Sequence, residues 1–140
     1  MKIIHKINPY LIGFFLVIFM SFAATVNAAD DSLVSATTES IHFRASYKSK
    51  VEPLPLNRIH SWVLHIETLD SKPVEKAEIA VYGGMPAHKH GLPTEPQVSE
   101  IGDGDYLVEG IKFSMNGSWQ LWFDIRADGI TDQVIFDIDL

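Results

Sequence analysis

The chain has 140 residues, 11 Lys and Arg against 18 Asp and Glu, a formal net charge of −7 and no cysteine. The acidic balance argues against nucleic acid or anionic lipid heads as partners. The missing thiol excludes disulfides, thiolate metal ligands and a cysteine nucleophile.

Lys2 and Lys6 precede an apolar run over residues 11–26, and Val26-Asn27-Ala28 follows with the small residues a signal peptidase reads. This is the three-part layout of a secretory signal, with an apolar run shorter than the roughly 20 residues of a comfortable membrane span. It predicts a signal peptide over 1–28, cleaved after Ala28. The alternative is an uncleaved anchor, which leaves the same domain outside the membrane. No cysteine follows the run, which excludes a lipoprotein. Removing 1–28 takes two lysines and no acid, leaving 9 basic and 18 acidic residues. The expected location is periplasmic or extracellular, with membrane contact only if the segment stays attached.

Residues 29–40, rich in Ala, Asp, Ser, Thr and Glu, read as a flexible leader before one domain over 41–140. Strands are predicted at 41–48, 58–68, 78–82, 97–101, 105–109, 119–127 and 130–140, with no helix-period segment of useful length. In 58–68, His60, Trp62, Leu64 and Ile66 alternate with Ile59, Ser61, Val63 and His65. In 119–127, Trp119, Leu121, Phe123 and Ile125 share a face, and Trp122 falls on the other. Val134, Phe136, Ile138 and Leu140 share a face in the last strand. Asp70-Ser71-Lys72-Pro73, Gly102-Asp103-Gly104 and Asp128-Gly129 supply turns. The expected fold is all-β: an immunoglobulin-like antiparallel β-sandwich of about seven strands. Gly104-Asp105-Tyr106 resembles a tyrosine corner, whose hydroxyl bonds back to the main chain.

The chemistry concentrates in residues 83–94, GGMPAHKHGLPT. His88 and His90 stand at i and i+2, which share a direction in extended chain. Pro86 and Pro93 stiffen the loop and Gly91 permits a sharp turn. Imidazole with the nearby thioether of Met85 is a donor set suited to copper, because thioether favours Cu(I) and imidazole tolerates both oxidation states. The bland reading is a polar loop whose histidines do nothing. Met115 precedes the Asn116-Gly117 turn and reads either as a core or rim methionine or as a fourth ligand beside the histidine loop. His60 reads as a core-edge histidine bonded to a carbonyl, or as a ligand or its support, and His65 as a packing or surface residue. His42 stands alone. No nucleophile elbow and no phosphate-binding loop is present, so no enzyme is expected.

The ordered set His60-Ser61-Trp62, Lys72-Pro73-Val74-Glu75, Gly83-Gly84-Met85-Pro86-x-His88-x-His90-Gly91, Leu92-Pro93-Thr94-x-Pro96, Gly102-Asp103-Gly104-x-Tyr106 and Phe113-x-Met115-x-Gly117-x-Trp119 resembles the YtkA-like (FixH-related) family of exported or membrane-anchored bacterial domains. Many relatives carry a tryptophan where Ser118 stands. The resemblance implies a small sandwich outside the cytoplasm and a link to copper handling. By position, Met85, His88, His90 and Met115 are then the candidate copper ligands, and a copper-donating or copper-receiving protein the candidate partner. The alternative is a metal-independent interaction module that uses residues 85–96.

Overall fold

The computed structural model describes residues 35–140. The expected signal segment and residues 29–34 of the expected leader lie outside the described residues. Nine strands follow: β1 (Ser35–Glu39), β2 (Phe43–Ser49), β3 (His60–Thr68), β4 (Glu78–Met85), β5 (His90–Gly91), β6 (Gln97–Gly102), β7 (Asp105–Ile111), β8 (Ser118–Ala127) and β9 (Ile130–Asp139). One sheet runs β1-β2-β3-β7-β6 and the other β5-β4-β8-β9, with every named pair antiparallel. With β2, β3, β4, β6, β7, β8 and β9 taken as strands A, B, C, D, E, F and G, this is the ABED and CFG order of the immunoglobulin sandwich. All seven predicted strands are present. The two additions are short: β1 takes the last residues of the expected leader into the sheet beside β2, and β5 closes a hairpin on β4.

The alternation seen in the sequence sets the core. Trp62, Leu64 and Ile66 of β3 face Trp119, Leu121, Phe123 and Ile125 of β8 and Val134, Phe136 and Ile138 of β9, and all are buried. Ring contacts join the two sheets without a covalent link. Trp62 stacks on Tyr47 at a centroid distance of 3.9 Å, and Tyr47 meets Phe136 edge-on at 5.0 Å. Phe136 meets Phe123 edge-on at 5.7 Å. On the other side, Trp62 contacts Phe113 at 6.3 Å and Phe113 meets Trp119 at 5.4 Å. Each such pair contributes about 0.5–1.5 kcal/mol beyond the area it buries. At the opposite end of the sandwich, the Asp132 carboxylate accepts from the Ser40 hydroxyl at 2.7 Å and the His42 amide at 2.8 Å, tying the β1–β2 turn to β9.

Tyr106 departs from the expected corner. Its hydroxyl does bond the main chain, donating to the Val74 carbonyl at 2.8 Å and accepting from the Ala77 amide at 3.0 Å. Those partners lie in the β3–β4 connection about thirty residues upstream, whereas a tyrosine corner bonds within its own turn. Tyr106 therefore clamps a crossing between sheets.

Tyr106→Phe removes the partner of both groups while keeping the ring. It should destabilise the domain by about 2 kcal/mol, the cost of leaving buried backbone groups unpaired. Urea melts should show a lower midpoint at unchanged slope. A loss below about 0.5 kcal/mol would show that water replaces the hydroxyl.

Candidate metal site

β4 runs straight through Gly83 and Gly84 to Met85, past the end expected from the sequence. The glycines act as strand residues because of what lies against them. A Cβ on Gly84 would sit 2.7 Å from the His90 carbonyl oxygen, a backbone atom that cannot yield. A Cβ on Gly83 would strike Leu121 and Leu92 at 2.7–2.8 Å. Bare backbone here lets β5 pair with β4, Gly84 opposite Gly91 and Met85 opposite His90.

The connecting residues 86–89 form a turn, so the two imidazoles converge by a hairpin and not by an extended segment. The His88 amide donates to the Met85 carbonyl at 2.9 Å. Pro86 takes the second turn position, where its fixed φ is favoured, and Lys89 closes the turn at φ 54°. His88 and His90 are both exposed. Their ring centroids stand 6.4 Å apart with planes 22° from parallel.

Met85 lies differently. It is 1% exposed and belongs to the core. It shares the inward parity of Ile79, Val81 and Gly83 along β4. Its methyl would lie 2.7 Å from a Cβ on Gly117, which holds φ 128° in the β7–β8 connection. Met115, two residues before Gly117, is 40% exposed, and its carbonyl accepts from the Trp119 indole at 3.0 Å. The structure thus pairs the two histidines at the surface, buries one methionine beneath them, and brings the connection that carries the other against that buried thioether. An open cavity of about 240 Å³ adjoins the hairpin, bounded by Gly84, Met85, Pro86, His90 and Trp122. Among the described residues no group of three or more His, Asp or Glu side chains forms a metal cage, so any full ligand set here draws on thioether or solvent.

The remaining histidines among the described residues are separate from this hairpin. His60 and His65 face opposite sides of β3, as alternation requires. His60 is 6% exposed, and its Nδ1 donates to the Arg58 carbonyl at 3.2 Å, which places the proton of the neutral ring on Nδ1. Its Nε2 is buried among Trp62 and Phe113 with no hydrogen-bond partner among the described residues. His60 faces inward by the β3 alternation, and the extra residue Gly110 at the register shift turns Ile111 into the core beside it. Burial is the main influence on the imidazole and pushes its pKa below the usual value, outweighing the bond to Arg58. On the surface His65 Nδ1 meets Asp105 Oδ1 at 2.6 Å, and His42 Nδ1 meets Asp132 Oδ2 at 3.2 Å. Alternation and turn composition gave no signal for either pair, because both partners come from distant strands.

Two outcomes are expected. Gly84→Ala should detach β5 without unfolding the sandwich, so amide exchange should rise across residues 86–92 alone; protection unchanged there would refute the close approach. For His60, the unfolded chain takes up a proton near 6.5 while the folded one resists to lower pH. Its contribution is therefore intact above about pH 6.5 and is lost as pH falls from there towards the depressed folded value. Stability of the native domain should drop between pH 7.5 and 5.5 more than that of His60→Phe. Equal drops would mean that His60 is not desolvated.

The YtkA-like family model matches residues 35–123. Among solved structures, a DUF4426 family protein from Pseudomonas aeruginosa is 13% identical with a TM-score of 0.54, over 76% of this chain and 94% of that one. The GAE domain of GGA2p from Saccharomyces cerevisiae is 8% identical with a TM-score of 0.44, over 76% and 96%. The first likeness concerns the fold alone. No curated protein matches. The match begins at the first residue of β1 and takes in β1 to β7, the Met85–His90 hairpin, Met115 and most of β8: the chain belongs to the YtkA-like family.

Proposed function

We propose that the protein is an exported domain, acting in the periplasm or outside the cell, that binds a copper ion as cargo at the Met85–His90 hairpin. The observation that carries this reading is the pair of exposed, nearly parallel imidazoles on one short turn, with a thioether at its base. Neutral imidazole nitrogens of His88 and His90 supply the accessible donors. Met85 and Met115 supply the soft donors that would favour Cu(I). The burial of Met85 makes its engagement a rearrangement of the hairpin, which suits a carrier that must also release its ion. Protons compete for the imidazoles, so acidification should weaken binding. The role is that of a binding protein that passes metal to or from a partner, and not that of an enzyme. A second reading, metal-independent contact through residues 85–96, is favoured by the exposed, proline-stiffened turn; a partner retained at full strength under copper chelation would support it.

Chelator-competition titrations with Cu(I) and Cu(II) provide the test. His88→Ala combined with His90→Ala should lower affinity for both ions at least about tenfold, roughly 1.4 kcal/mol. Met85→Leu nearly conserves volume and should cost less than about 1.5 kcal/mol of stability, yet selectively weaken Cu(I). Unchanged affinity in the double histidine variant would overturn the reading.

A further inference from the structure

The solvent face of the β5-β4-β8-β9 sheet is built in rungs. Strand register places Tyr82, Trp122 and Ile135 side by side across β4, β8 and β9. Tyr82 is 52% and Ile135 38% exposed, and Trp122 is half-buried beside Gly84. This single apolar rung interrupts a polar face. On one side Gln120 Nε2 donates to Asp137 Oδ1 at 2.8 Å, and beyond it the Ser118 hydroxyl donates to Asp139 at 2.6 Å. On the other, Gln133 Nε2 donates to Asp124 Oδ1 at 2.6 Å, and beyond it Arg126 pairs with Glu78 at 3.3 Å. The face thus carries four carboxylates and one guanidinium, and that guanidinium is already paired.

The amides hold Asp124 and Asp137 by one oxygen each, fixing the carboxylates on both flanks of the rung. An open hollow of about 250 Å³ lies beside it, bounded by Glu78, Ala80, Tyr82, Asp124 and Arg126. Aromatic faces next to fixed carboxylates attract cations, through the ring quadrupole and through charge. Two copies of this face would set carboxylates against carboxylates, which disfavours self-association.

We propose that this face docks a partner polypeptide that lays an apolar side chain on the Tyr82–Trp122–Ile135 rung and sets a lysine or arginine beside Asp124 and Asp137. Charge complementarity selects that partner over a second copy. The surface is independent of the metal reading, although the same β4 strand leads from Tyr82 to the histidine hairpin.

The probe is a short capped peptide alternating lysine and leucine, with a glutamate–leucine peptide as control. Trp62 and Trp119 are 0% and 1% exposed, so collisional quenching of tryptophan fluorescence by acrylamide reports Trp122. The lysine peptide should protect Trp122 at concentrations up to about 1 mM, with amide shifts confined to β4, β8 and β9. Binding should weaken at least about fivefold in Asp124→Asn with Asp137→Asn, and likewise in salt of about 0.5 M. Ile135→Ser should weaken it without altering salt dependence. Four results would overturn the proposal: no protection at about 1 mM, equal protection by the glutamate peptide, a concentration-dependent dimer that shields Trp122, or loss of binding on replacing His88 and His90 alone.

Discussion

The sandwich depends on the contacts that hold its two sheets together without a disulfide. The aromatic series from Phe123 through Phe136, Tyr47, Trp62 and Phe113 to Trp119 crosses between sheets repeatedly and spans the core. Immunoglobulin domains of antibodies pin strand B to strand F with a disulfide packed on a tryptophan. Here strand B supplies the tryptophan itself, and dispersion and ring geometry replace the covalent pin. The consequence is a fold with no disulfide to reduce. It also places heavy dependence on a few side chains, since truncating a buried tryptophan costs about 3–5 kcal/mol.

Once the sheets are fixed, the histidine hairpin is a matter of edges. β4 lies beside β8 near the sheet edge, where two glycines strip its end of side chains. Only the two-residue β5 pairs with it on that side, at Gly84 and Met85. The hairpin is thus held by backbone pairing on one strand and by the Met85 anchor in the core. The rest of the turn projects from the rigid body. A turn at the end of a rigid sandwich combines a stable base with a replaceable tip, as loops on such scaffolds do.

Much of this was legible from period alone. The inward sets on β3, β8 and β9 followed from strict alternation, and the seven strands other than β1 and β5 from alternation and turn chemistry. β1 escaped because SATTE has no apolar alternation; a polar edge strand is specified by backbone pairing with β2. Gly83-Gly84 read as a strand end, since glycine is more common in turns than in strands. That choice hid the direction of Met85. Continuing the β4 parity through the glycines would have pointed Met85 inward, into the core. The closeness of His88 and His90 was legible from their spacing, but its cause, a hairpin with Pro86 at its second position, required the partner strand. The Tyr82–Trp122–Ile135 rung depends on the register of three strands, which no local pattern encodes.

Ser35 pairs with Lys48, at the end of β2 that adjoins the start of β3 at His60. β4 runs the other way from β8 and reaches that same end at Met85. The polypeptide therefore enters the sandwich at the pole that carries the histidine hairpin. The end of the domain that takes in the start of β1 is thus the end that presents the two exposed imidazoles, so the pairing of Ser35 with Lys48 and the turn at residues 86–89 share one pole of the fold.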